Sequence, residues 1–260
     1  MPVLPKEHGA WALLYGPFLL TMAALGRFEV RVLAFFLTFT ALFLAHEPLS
    51  KLVRSARHGA PRSQLIYWKR WLAVYLGVAL TAGLYLLWQY RLWDLVPLGL
   101  LIITLLLLHL YLIRERREKA VWGELLGVVG LSATAPATYY VMEGRWDETC
   151  ILLWFLSFLY FTSGIFYVKM KVSRFIKSAG PRNRVRHCIV YHVFLFVTLL
   201  LLSWSGFISP LLILAYVPII TRAFVGVSAR EERLNIRKIG YTELAHTCLF
   251  LALFTLLWHL

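Results

Sequence analysis

Apolar runs of about 18 to 22 residues, long enough to cross the ~30 Å hydrocarbon core of a bilayer as helices, recur along the whole chain. This repetition limits the fold more than any other feature, because each long apolar helix must be shielded from water. Only 15% of the 260 residues are charged and 60% are hydrophobic, whereas soluble domains have about 25% charged residues. The sequence therefore predicts an all-α fold, a polytopic transmembrane helical bundle that crosses the cell membrane many times.

Charged residues, glycines and prolines divide the apolar sequence into nine predicted spans. The segments between them are short, so we expect a single integral membrane domain that comprises residues 1–260. The spans are predicted near residues 9–26, 31–50, 71–89, 93–113, 121–142, 148–168, 188–205, 207–226 and 241–259.

Lysine and arginine residues collect on one side of the predicted bundle. Only four of the 27 basic residues fall on the other side, namely Arg27, Arg31, Arg91 and Arg145. Because cytoplasmic loops carry the excess of Lys and Arg, the N-terminus is predicted to be cytoplasmic and the C-terminus external. The net charge of +14 is accounted for by this topology beside an anionic leaflet. Membrane lipids are therefore the expected partners, and no nucleic acid is.

Glutamates and histidines concentrate at the predicted cytoplasmic ends of the spans. A Glu lies at this end of spans one, two, five and nine, and three of these glutamates have a His within three residues: the four are Glu7, Glu47, Glu124 and Glu243. Ionisable side chains within a membrane are costly and usually functional. We therefore expect these groups to converge in one cytoplasm-facing site. The structural alternative stays open, because surplus Lys and Arg can pair with the carboxylates without any chemistry.

The motif "AHEPLS" places His46 and Glu47 directly before Pro48. Proline removes one amide donor and frees the carbonyl of Leu44, so the sequence predicts a break in the second span. A polar pair at such a break must line protein or a water-filled cavity. Pro136 is expected to interrupt span five in the same way.

Two further motifs supply histidines. In "YTELAHT", Glu243 and His246 are three residues apart and share one face of a helix; paired motifs of this kind build di-iron sites in helical bundles. In "RHCIVYH", His187 and His192 lie about 140° apart around a helix, so at most one of them faces inward. His192 lies deeper in its span and is the one expected to do so.

Basic and aromatic residues follow span six in "YFTSGIFYVKMKVSR", which contains Tyr167, Lys169, Lys171 and Arg174. Such residues are typical of an aromatic and basic belt at the membrane interface. The alternative is a basic rim that binds an anionic head group.

The segments "PKEHGAW" and "HEPL" resemble those of the YwiC-like family of bacterial and archaeal membrane proteins. The resemblance is close over the first fifty residues and looser through "RREKAVWGELLG" and "RKIGYTELAHT". It implies a membrane protein of that family and names no reaction.

Nine spans with polar clusters after spans two and six also resemble, more distantly, the UbiA-type intramembrane prenyltransferases. This likeness implies a UbiA-like bundle and an isoprenoid substrate. In that family, aspartate-rich motifs after spans two and six hold Mg²⁺ on an isoprenyl diphosphate. Here the same places read "AHEPLSKLVRSARHG" and "YVKMKVSRFIK", and the two aspartates of the chain, Asp94 and Asp147, are both predicted to be external. The magnesium clamp is therefore missing.

The leading hypothesis is a cytoplasm-facing intramembrane site that binds a transition metal, Fe or Zn, and acts on an isoprenoid- or quinone-like molecule of the lipid phase. Imidazole and carboxylate ligands suit such a metal, and the same groups can act as general acid or base. The catalytic candidates are Glu7, His8, His46, Glu47 and Glu124. The substrate-binding candidates are Lys6, Trp11, Lys51, Tyr167, Lys169 and Arg174. The metal-ligand candidates are His8, His46, Glu47, Glu124, His192, Glu243 and His246.

Two alternatives remain. In the first, prenyl transfer or isoprenyl-diphosphate binding proceeds without magnesium, and the positive charge comes from Lys51, Lys169 and Arg174. In the second, the protein is a transporter, with Pro48 and Pro136 marking broken helices, or a non-catalytic membrane partner.

Overall fold

The structure is a computed structural model that describes residues 2–5, 8–175, 181–229 and 236–260. Over these residues the regular structure is entirely helical, which confirms the all-α prediction. Eight helical segments are long and apolar enough to cross a membrane, and a ninth, shorter apolar segment covers residues Gly9–Leu25. The chain is thus a multi-pass membrane protein. Its orientation relative to the cytoplasm stays a prediction.

The described chain forms ten α-helices and one 3-10 helix. The helices are α1 His8–Leu25, α2 Arg31–His58, α3 Arg62–Gln89, α4 Leu95–Arg114, α5 Val121–Ser132, α6 Thr134–Glu143, α7 Glu148–Phe175, α8 Pro181–Trp204, the 3-10 helix Pro210–Ala215, α9 Val217–Ser228 and α10 Ile236–Trp258.

Several helices continue beyond the spans that hydropathy marks. Helix α2 runs to His58 and α3 begins at Arg62, while the predicted spans end at residue 50 and begin at residue 71. Similarly, α7 continues to Phe175. Hydropathy detects the part of a helix that lies in hydrocarbon, whereas the backbone hydrogen bonds of a helix persist into the interface and into water.

Proline has different effects in two helices. Pro136 is confirmed as a break, because α5 ends at Ser132 and α6 begins at Thr134. The predicted break at Pro48 is wrong, since α2 continues through that residue. Helix α2 packs closely along α3, and such packing holds the helix axis where one backbone hydrogen bond is lost.

Two large apolar cores hold the bundle together, and a third, smaller one lies between α7, α8 and α9. One large core lies between α1, α2 and α6 and is rich in phenylalanine, including Phe18 and Phe39. The other lies between α7, α8, α10 and the 3-10 helix, where the Tyr160 and Phe250 rings stack at 3.8 Å. Helices α3 and α4 bury little of their apolar surface, so their outward side chains form part of the lipid-facing surface.

Ion pairs identify which helix ends share one end of the bundle. Helices α2, α7 and α9 end where α5 and α10 begin, since side chains pair across them there. We call this the polar end; it carries His46, Glu47, Glu124, Arg222 and Glu243. The opposite end carries Arg27, Arg31, Asp94, Glu143 and Asp147, joined to one another or to neighbouring tyrosine and backbone groups.

Candidate functional site

The first polar group lies on α2 and α4, and we call it the N-terminal polar cluster: His46, Glu47, Ser50, Lys51 and His109. The ring centroids of His46 and His109 are 5.4 Å apart, so α2 and α4 bring two imidazoles together. Nε2 of His46 lies 3.3 Å from Oγ of Ser50. One residue further on, Glu47 pairs along its own helix with Lys51 at 3.2 Å.

A salt bridge from α5 to α7 connects the two halves of the polar end. Nζ of Lys169 lies 2.9 Å from Oε1 of Glu124 and donates to the backbone oxygen of Lys119 at 2.7 Å. Only 15% of the Lys169 side chain is exposed. The ion pair therefore fixes α7 against the start of α5 and leaves this lysine little freedom.

The second polar group lies on α7, α8, α9 and α10, and we call it the C-terminal polar cluster: Tyr167, Lys171, His192, Arg222 and Glu243. Nη1 of Arg222 donates a short hydrogen bond to Oε1 of Glu243. The guanidinium carbon lies 4.2 Å from the centre of the Tyr167 ring, within the range of a cation–π contact. On the same ring, Nζ of Lys171 lies 5.7 Å from the centre.

Two glycines make room for this cluster. A Cβ atom at Gly226 would lie 2.6 Å from Cε2 of Tyr167, so the ring packs directly on the backbone of α9. At Gly164, a Cβ atom would lie 3.2 Å from Oε2 of Glu243. The absence of side chains at these two positions is what lets α7 approach α9 and α10 closely enough to bring the polar groups together.

Two members of the C-terminal polar cluster have polar atoms without a hydrogen-bond partner among the described residues. They are Nε and Nη2 of Arg222 and Nε2 of His192, all shielded from solvent. Only 8% of the Arg222 side chain is exposed, and His192 is fully buried. Buried polar atoms of this kind are rare and require an explanation, such as a bound water, an ion or a ligand.

Several other predicted site residues have structural partners. Trp11 packs on α1 and α2 against Tyr15 and Phe43, with ring centroids 5.9 and 5.0 Å away. Arg174 donates to three backbone oxygens at the end of α9, at 2.6 to 3.0 Å. Nδ1 of His246 lies 2.7 Å from the backbone oxygen of Thr242. Lys6, Glu7 and the side chain of His8 lie outside the described residues.

The predicted acids are distributed over several ion pairs. Glu47, Glu124 and Glu243 each pair with a different cation, on α2, α7 and α9 respectively. Within the described ranges, no three His, Cys, Asp or Glu side chains are close enough to hold one metal ion. The predicted metal set also includes His8, and it stays a prediction.

Sequence reasoning did not select His109 or Arg222 as site residues, and it named Lys171 only within the alternative of a basic rim. His109 and Arg222 each had a detectable signal, because both fall inside predicted apolar spans, 93–113 and 207–226. An ionisable residue inside a span is by default a candidate functional residue. Which helices face these residues, however, is decided only by tertiary packing.

The fold and its polar end define a multi-pass, all-helical membrane protein with charged and imidazole groups inside the bundle. The family described as YwiC-like protein matches residues 4–139, more than half of the chain, and the chain belongs to that family. It is 25% identical over 254 residues to the uncharacterised protein YwiC of Bacillus subtilis (strain 168), covering 98% of this chain and 97% of that protein. An uncharacterised protein of Haemophilus influenzae is 22% identical over 251 residues, with 96% of both chains covered. No solved structure matches.

Proposed function

We propose that this protein binds an amphiphilic molecule of the lipid phase and holds its head group at the polar end of the bundle. The observation that carries the proposal is the burial of ion-paired side chains from α7 and α9 within membrane-spanning segments. The exposed fraction is 15% for the side chain of Lys169 and 8% for that of Arg222. Charged groups at such positions are costly in a membrane and are typically retained for function.

The alternative is that the pairs only fasten helices together. A pair of apolar residues does this at least as well, because the desolvation of two charges offsets much of their attraction. The polar end also brings together more than ion pairs, since it includes the His46 and His109 rings and the fully buried His192. A collection of imidazole, carboxylate and cationic groups suits recognition of a polar head group, and the same groups suit proton transfer.

An isoprenoid- or quinone-like tail is the part of the proposal that rests on the likeness to UbiA-type prenyltransferases. Diphosphate chemistry without magnesium is less favoured by the contacts. Lys51 and Lys169 already pair with glutamates, and Arg174 is engaged by backbone oxygens. The cations named for that role therefore have other partners.

A transition-metal centre is the second candidate, favoured by the His46–His109 contact between α2 and α4. The ring centroids are 5.4 Å apart, a separation that suits two imidazoles on one ion with metal–nitrogen distances of about 2.0–2.1 Å. Zn or Fe is the expected metal, because imidazole ligands favour both. Two ligands alone bind weakly, so the proposal includes His8 as a further predicted ligand.

Mass spectrometry of lipids and metals that co-purify with the full-length protein in mild detergent tests both candidates. We expect one amphiphile enriched over bulk membrane lipid, severalfold less of it with Lys169→Gln, which breaks the ion pair that joins the two halves of the polar end, and no change with Arg27→Gln at the opposite end. For the metal, we expect an ion that is lost in the His46→Ala, His109→Ala double variant and retained in His187→Ala, an exposed residue of α8. A lipid profile identical to that of the bulk membrane in all variants would refute the binding proposal.

A further inference from the structure

The guanidinium of Arg222 has two edges that can donate hydrogen bonds, and only one of them has a partner in the described part of the chain. Nη1 donates to Glu243, while Nε and Nη2 have no hydrogen-bond partner among the described residues. The N–H groups of Nε and Nη2 point in parallel along the same edge of the guanidinium plane. This side-on fork matches the spacing of two oxygens of a carboxylate or a phosphate.

The guanidinium is held in a defined plane before any ligand arrives. Glu243 fixes one edge and the Tyr167 ring covers one face, with the guanidinium carbon 4.2 Å from the ring centre. Gly226 leaves the space in which the ring packs. Because Glu243 occupies one edge and the Tyr167 ring covers one face, the edge formed by Nε and Nη2 is the one that can still bind a ligand. Such preorganisation lowers the entropy lost on binding.

On the contacting helix α8, His192 has a second kind of buried polar atom without a partner among the described residues. Its Nδ1 lies 2.8 Å from the backbone oxygen of Cys188, which only accepts hydrogen bonds, so Nδ1 carries the proton. Nε2 of the neutral ring is then an acceptor, and it has no partner within the described part of the chain. An acceptor on α8 and a donor fork on the contacting helix α9 together suit an anion that retains one proton, such as a monoprotonated phosphate.

A purely structural role explains these contacts less well. To neutralise Glu243, an ammonium group would be sufficient, and it would leave no planar N–H edge buried without an acceptor. A buried donor without a partner destabilises the folded state by its full desolvation penalty. Arg174 shows the contrast on the neighbouring helix, because its guanidinium is engaged by backbone oxygens at the end of α9.

We infer that the side-on edge of Arg222 is an anion-binding site that takes one phosphate or carboxylate group. The inference rests on the proposed function in so far as the anion is the head group of the bound amphiphile. Glu243 and Tyr167 act as positioning residues that hold the guanidinium in its plane. Since the fork is shielded from solvent, binding requires a covering side chain to move, and we expect slow association.

Isothermal titration calorimetry on the full-length protein in dodecyl maltoside, a neutral detergent without phosphate, tests the inference. The probes are dodecyl phosphate, dodecanoate, dodecanol and inorganic phosphate. Arg222→Lys keeps the charge beside Glu243 and removes the fork, so we expect it to weaken binding of the preferred anionic probe by about tenfold or more. Arg27→Lys at the opposite end is the matched control and leaves binding unchanged.

Glu243→Gln supplies an independent readout. The amide oxygen of glutamine still accepts from Nη1, but the negative charge beside the fork is removed. We therefore expect this variant to bind the anionic probe more tightly than the wild-type protein does. A loss of binding as large as that of Arg222→Lys would show that the ion pair is only structural and would overturn the inference.

The remaining outcomes separate the inference from the proposed function. Equal binding of dodecyl phosphate by wild type and Arg222→Lys overturns the anion site and leaves the amphiphile proposal standing. If the protein binds dodecanol but neither dodecyl phosphate nor dodecanoate, the anion site is likewise overturned and the amphiphile proposal stands. Fork-dependent binding of inorganic phosphate without binding of any amphiphile supports the anion site and refutes the proposed function. No binding of any probe to the wild-type protein overturns both.

Discussion

The two ends of the bundle use arginine in different ways. At the opposite end, Arg27 and Arg31 donate to the backbone oxygen of Met142 at 3.2 and 2.7 Å, and Arg27 also pairs with Glu143 at 2.5 Å. At the polar end, Arg222 pairs with Glu243 and has a further N–H edge without an acceptor among the described residues. Arginine side chains thus bind backbone and carboxylate oxygens at the opposite end, whereas Arg222 at the polar end has donors without an acceptor among the described residues.

This difference matters because the Arg27 and Arg222 side chains differ in their exposure to solvent. The Arg27 side chain is 51% exposed, so water can satisfy any donor that the protein leaves unused. The Arg222 side chain is only 8% exposed. Unpaired donors there destabilise the fold unless a ligand or a water binds them. The role of an intramembrane arginine is therefore better judged from its unused donors than from its salt bridge.

The largest effect is expected when the buried ion pair is broken. Arg222→Leu leaves the Glu243 carboxylate partly buried without its cation, which lowers the free energy of unfolding by about 3 kcal/mol. Arg27→Leu, which breaks an exposed pair, lowers it by less than about 1 kcal/mol. Unfolding in a sodium dodecyl sulfate titration, followed by circular dichroism, measures both. Equal losses of unfolding free energy in the two single variants would contradict the difference between the two ends. A higher free energy of unfolding in the Arg222→Leu, Glu243→Leu double variant than in Arg222→Leu would support that difference.

A smaller effect is expected from filling the space at Gly226. A Cβ atom there lies 2.6 Å from the Tyr167 ring, so Gly226→Ala displaces the ring that supports the guanidinium. We expect a loss of about 1–3 kcal/mol, as for other overpacked sites, measured in the same titration. Gly127→Ala is the matched control, because no neighbouring atom lies within 4 Å of its added Cβ. If the two alanine variants unfold alike, the close approach of α7 and α9 does not matter for the C-terminal polar cluster.

The smallest effect is expected at the Glu47–Lys51 pair of the N-terminal polar cluster. These residues are four apart on one helix and partly exposed, with Nζ and Oε1 3.2 Å apart. Lys51→Ala therefore lowers the free energy of unfolding by only about 0.5 kcal/mol, as for other pairs of this spacing. A thermal unfolding scan in detergent is sensitive enough to detect it. A loss as large as that of Arg222→Leu would show that the two clusters are energetically alike.

The sequence predicted the class of fold well because hydropathy reports directly on contact with lipid. Their spacing allowed at most one of His187 and His192 to face inward, and depth in the span favoured His192; in the structure His192 is buried and His187 is exposed. It misjudged Pro48, because a missing hydrogen bond is a local property whereas the continuity of α2 depends on its packing against α3. The Arg222–Glu243 contact joins α9 to α10, and no spacing rule specifies which face of one helix meets another.

The amino-acid sequence alone determined that this chain spans a membrane many times, since the period and length of apolar runs are set by the bilayer and not by the rest of the protein. It also determined where the ionisable groups lie along each helix, and so which end of the bundle is polar. Only the tertiary structure decided that Glu124 pairs with Lys169 and that Glu243 pairs with Arg222. It alone also showed that, over the residues the structure describes, Arg222 has one edge paired and one edge without a partner, because that depends on helix rotations that small residues such as Gly164 and Gly226 permit.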